Sequence, residues 1–177
     1  MIIKNNIKKG NTMKEYSLTA IGRTTKKALI GAIKTTGDTA GAIVEAVRDV
    51  LLTTVDGVSQ VAQAIEKGVA DIIKGAVSAA GEVSEDVLLT LKATVKGIVK
   101  GASEVGADVG KTAVTATQEA IKAAGDVGAD VGEATKHAVT GAIEAADEIG
   151  SDASKAVKNV LKDSIKGAKD IIKEPFK

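Results

Sequence analysis

Three observations predict an all-α chain built around one long amphipathic helix: a repeat of 22 residues, an apolar recurrence after 11 inside it, and no proline before Pro175. Residues 103–111, S-E-V-G-A-D-V-G-K, align with residues 125–133, G-D-V-G-A-D-V-G-E. Further shifts by 22 put Val61, Val83, Val105, Val127, Ile149 and Ile171 in one column. Within each word the apolar residues recur after 11, as Val105 with Ala116 and Val109 with Ala120. Eleven residues in three turns is about 3.67 per turn, so the apolar stripe stays nearly straight or drifts right-handed. No useful length alternates with period two, so strands are not expected.

The elements follow in order. Residues 1–12, basic and outside the repeat, read as a mobile leader. Thr12 and Glu15 have capping-box spacing, which places the helix start near Met13. From Glu15, seven words end at Thr36, Val58, Ala80, Ala102, Ala124, Ala146 and Ala168. A partial word reaches Glu174, where Pro175 disfavours helix in the residue before it and leaves 175–177 as a tail. A hairpin loop ordinarily resets the phase of a stripe, and the phase here is unbroken. The expectation is therefore one near-continuous hendecad helix over 13–174, packed with others in a right-handed or nearly straight coiled coil.

Such a helix is intrinsically weak. It holds 18 of the 19 glycines, each costing about 0.8–1 kcal/mol relative to Ala, or about 15 kcal/mol in sum. Its apolar side needs a cover. The residues expected on that self-associating or lipid-facing side are Val83, Val87, Leu91, Val105, Val109, Ala113, Val127, Val131 and Ile149. Glycines four apart, Gly97/Gly101, Gly106/Gly110 and Gly128/Gly132, suggest close helix packing. On the polar arc a lysine row is displaced from a row of acids at Glu82, Glu104, Asp126 and Glu148, which suits sideways pairing with a neighbouring helix.

Composition bounds the function. One Phe, one Tyr and no Trp leave few large core side chains. Twenty-four basic residues balanced by 23 acidic ones argue against nucleic acid as a partner. The absence of Cys removes thiolate chemistry. The segment Gly106-Ala-Asp-Val-Gly110-Lys111-Thr112 is one residue short of a phosphate-binding loop and has no strand before it. His137, with Glu133, Asp130 and Asp126 behind it, falls short of a metal site. No catalytic, cofactor-binding or metal-ligating set is expected. The longest uncharged run, residues 57–65, is too short for the roughly 20 residues that cross a bilayer. With no apolar start resembling a secretory signal, the expected place is cytoplasmic or membrane-peripheral.

Segments such as Glu66-Lys67-Gly68-Val69-Ala70 and Lys96-Gly97-Ile98-Val99-Lys100-Gly101-Ala102 resemble the 11-residue-repeat proteins that coat lipid or polymer surfaces: synucleins, perilipins, phasins and late-embryogenesis-abundant proteins. They are similar also to hendecad parts of right-handed coiled coils and phage tape-measure proteins. The expected function is a non-enzymatic structural protein that self-associates as a homo-oligomeric coiled coil, tube or filament. The alternatives are an amphipathic coat on a membrane, lipid droplet or storage granule, and a protectant or spacer whose useful property is length.

Overall fold

Instead of running on as a rod, the chain doubles back about once per word. The computed structural model describes residues 18–173. It is all-helical, as expected, but the single continuous helix is replaced by a packed series: α1 (Ala20–Thr35), α2 (Thr39–Val55), α3 (Val61–Val83), α4 (Val87–Glu104), α5 (Val109–Asp126), α6 (Val131–Ile149), α7 (Ser151–Ser164) and α8 (Ala168–Lys173). The leader, the helix start near Met13 and the stop at Pro175 lie outside the described residues.

The physical reason is in the corners. Four of the six positive-φ residues among those described, Ser84 (58°), Gly106 (71°), Gly128 (77°) and Gly150 (152°), fall at the 22-residue spacing, while Gly57 (70°) and Gly167 (89°) turn other corners. At Gly106 the amide of Ala107 donates to Ala102 O at 2.9 Å and that of Gly106 to Ser103 O at 3.2 Å. Ala129 to Ala124 and Gly128 to Gly125 repeat the pattern at 2.9 and 3.1 Å. These are the paired bonds of a Schellman stop, with glycine in the position that a Cβ disfavours. Two residues later an aspartate restarts the chain. Asp86, Asp108 and Asp130 accept the amides of Leu89, Lys111 and Glu133 at 3.0, 2.9 and 2.8 Å, as N-caps do.

A helix of 18 residues, as in α4 and α5, plus a four-residue corner makes 22. Helix and corner together are as long as two hendecads, so the phase survives these reversals. The first two corners, 36–38 and 56–60, come earlier in the word, and α2 and α3 accordingly start about one helical turn sooner.

Each helix touches only those one and two places away in the chain; α1 meets α2 and α3, and no contact joins helices further apart among the described residues. The odd-numbered helices therefore form one row and the even-numbered ones a second, an open two-layer stack of the solenoid kind. Its core is built from small side chains. Of the nine fully buried Leu and Ile among the described residues, Leu29, Ile43, Leu51, Ile72, Ile73, Leu91 and Ile98 sit in α1–α4, leaving Ile143 in α6 and Leu161 in α7. In α5 the buried residues are Gly, Thr and Ala alone. No helix among the described residues is long and apolar enough to cross a membrane.

Candidate functional site

Glycine sets the spacing within each row. Gly75, Gly97 and Gly141 occupy one 22-residue column, and a Cβ at each would strike the main chain of the previous helix in its row. At Gly75 it would meet Gly22 O, at Gly141 Lys92 O, and at Gly97 Val44 O at 2.6 Å. The row contacts α1–α3, α2–α4 and α4–α6 that carry these glycines are the most extensive in the molecule, while α3–α5 and α5–α7, with Glu119 and Asp163 in that column, are thinner. Gly101 adds to the α2–α4 seam, where a Cβ would lie 2.9 Å from Leu51 Cδ2.

Ion pairs run across the same seams. Lys26 reaches Glu82 at 2.7 Å and Arg48 reaches Glu104 at 2.5 Å. Between α4 and α6, Lys92 pairs with Glu144 at 2.7 Å and Lys96 and Lys100 with Glu148 at 2.5 and 3.2 Å. The odd row has Lys111 on Glu66 at 2.5 Å. The Glu104 hydrogen bond raises the Arg48 pKa, and the Glu66 hydrogen bond raises that of Lys111. Glu148 is held below the ordinary glutamate range, chiefly by its hydrogen bond from Lys96, with burial opposing. The Ser154 hydroxyl is the main cause of a lowered pKa at Asp147, which Lys158 also approaches. The neighbouring helix expected of the sign-sorted charges is thus a helix of the same chain.

The nine residues assigned to an apolar face do not form one outward stripe. Leu91 and Ala113 are fully buried in the chain's own core. Val83, Val105 and Val127 end or cap α3, α4 and α5, and Val87, Val109 and Val131 begin α4, α5 and α6. These six frame the corners; all are half-buried except Val131, which is exposed, as is Ile149 at the end of α6. Of the glycines expected at close helix contacts, Gly97 and Gly101 lie on the α2–α4 seam, whereas Gly106 and Gly128 stand in corners with nothing within 4 Å of a would-be Cβ. Gly110 and Gly132 are the second residues of α5 and α6; a Cβ on Gly110 would make ordinary contact with Val160 at 3.5 Å. Spacing alone merges a turn glycine with a packing glycine.

The segment resembling a phosphate loop is the α4–α5 corner, and Asp108 itself occupies the amide an anion would need. Among the described residues no group of three or more His, Cys, Asp or Glu is placed to hold a metal. No family model, no curated protein and no solved structure matches the chain.

Two surfaces stand out among the described residues. One is the start of the stack, where Ile21, Thr24 and Ala28 of α1 and Ala46, Val50 and Thr53 of α2 line a hollow of about 490 Å³. Inside the stack the same columns are covered: Gly68, Thr90, Thr112 and Ala134 are buried where Thr24 is exposed and Ala46 half-exposed. Val50, Ile72, Thr94, Ala116 and Ala138 are buried where Ala28 of α1 is half-exposed. The other is a groove of about 470 Å³ between the start of α2 and the first turns of α4. Period analysis picked out neither, because both depart from the repeat.

Proposed function

We propose that this protein is a non-enzymatic structural repeat protein whose copies add end to end. The broad apolar side that motivated coiled-coil association is spent within each chain, so association belongs to the ends of the stack. The observation that carries this reading is the start of α1–α2, where Thr24, Ala28 and Ala46 are exposed or half-exposed at positions whose counterparts in α3–α6 are buried. Terminal repeats of an isolated solenoid ordinarily carry a polar outer face, and this end does not.

The far end offers a complement. Lys136 of α6 shares the column of Lys26, Arg48 and Lys92, whose members bind carboxylates of the next helix in the row. Lys136 itself has no ion pair among the described residues, and only the six-residue α8 follows α6 in its row. Joining unlike ends gives a heterologous contact, which grows as an open filament unless the rotation closes a ring.

Sedimentation equilibrium of the full chain tests this. The expected result is an average mass that climbs with concentration from the 17.9 kDa monomer without a plateau, and a monomer at all concentrations for Ala28→Glu with Ala46→Glu. Wild type that remains monomeric at hundreds of micromolar would sink the reading.

A further inference from the structure

The groove between α2 and α4 is where the chain breaks its own repeat, and each break runs against the local rule. One column reads Arg23, Glu45, Lys67, Leu89, Lys111, Glu133, Lys155; its single apolar member, Leu89, is 52% exposed. A neighbouring column reads Thr19, Gly41, Gln63, Glu85, Ala107, Ala129, Ser151, Lys173, with Glu85 its single carboxylate. Leu89 and Glu85 both line this groove. A leucine in water where six words carry charge, beside a carboxylate where no other word carries one, is a local inconsistency of the kind that marks functional positions.

A third observation is independent of the repeat. Thr90 lines the same groove and is fully buried, and its hydroxyl, like that of Thr117 in α5, has no hydrogen-bond partner; of the two only Thr90 borders a groove of this kind. Threonines 25, 35, 53, 54, 94, 115 and 135 all donate to the carbonyl four residues back. Leaving a buried hydroxyl unpaired costs about 1–3 kcal/mol.

The charges of the groove define the ligand. Lys92 and Lys96 are held by Glu144 and Glu148, and Asp38 accepts the amide of Gly41 at 3.0 Å. Glu85 forms no ion pair among the described residues, so the uncompensated charge is negative. A volume of about 470 Å³ lies in the range filled by small ligands.

We propose that this groove binds a small aliphatic amphiphile bearing a primary ammonium, with the ammonium on Glu85 and within reach of the Thr90 oxygen, and the chain on Leu89. The pairing satisfies the free carboxylate, supplies the donor that Thr90 lacks and covers the exposed leucine. It is independent of the end-to-end reading, since the groove lies on the flank of the even row.

The test is an NMR titration of the full chain with octylammonium chloride, with sodium octanoate as the parallel arm. Saturable shifts confined to residues 38–44 and 85–96 are expected with the ammonium and none with the carboxylate. Glu85→Ala and Leu89→Lys install what other words carry at these positions, so helicity should persist while the dissociation constant rises at least tenfold. Equal binding of octanoate, shifts spread along the chain as for a detergent, or unchanged affinity in both variants would overturn the proposal. Should either variant lose its helical signal, the comparison of the two head groups on wild type decides alone.

Discussion

Gly141 and Gly31 share a column of the repeat yet should respond to the same substitution with opposite sign. A Cβ on Gly141 meets the carbonyl oxygen of Lys92, and main chain cannot rotate away; nothing lies within 4 Å of Gly31, an exposed position in α1. Gly141→Ala should cost about 1–3 kcal/mol through overpacking. Gly31→Ala should add about 0.8–1 kcal/mol through helix propensity. Urea unfolding of the two variants checks both values, and equal effects would show that the seam glycines are not packing residues. The column itself was legible in the sequence. Its meaning was not, because a glycine at a helix crossing, in a left-handed turn and on open surface are the same letter, and only the neighbouring helix tells them apart.

At the scale of the element, the corners and the seams carry the argument. The corner V-G-A-D-V contains a stop and a start two residues apart, Gly106 then Asp108 or Gly128 then Asp130, and those signals were present in the letters. They were hidden because helix plus corner is as long as two hendecads, so the strongest argument for a rod, unbroken phase, was blind to reversals of constant length. The direction of sideways charge pairing was legible; which helix supplied the partner was not. The α4–α6 seam makes a pH prediction. Glu148 has a folded pKa below its ordinary value of 4.5, so its contribution is full above that value and is lost as pH falls through the lower folded value. These side chains are partly exposed, and such a pair is worth about 0.2–1 kcal/mol. Lys96→Met should therefore lower stability by up to about 1 kcal/mol near neutral pH and by almost nothing once the glutamate is protonated. Urea midpoints measured across that range decide it, and a pH-independent deficit would assign Lys96 to packing instead.

For the whole molecule, two rows impose a parity that a rod would not. Removing residues 109–130, one word holding α5, would move α6 into the odd row, away from Lys92, Lys96 and Lys100. Removing residues 87–130, two words holding α4 and α5, would keep α6 in the even row. There Gly141 would take the place of Gly97 against Val44, and Glu148 the place of Glu104 against Arg48. The larger deletion should retain a cooperative melt by circular dichroism and the smaller should lose it; a rod or spacer would tolerate either. All-helical content, the period and the small-residue core were readable from composition and spacing. The reversal of direction was not, since it depends on how four residues bend. Finally, because every helix grips only its nearest two companions on either side, a pull on the termini finds no distant strap to break first. Stretched between two beads in an optical trap, the chain should yield in a run of small, evenly sized releases, one per helix, behaving as a ratcheted shock absorber instead of a single latch.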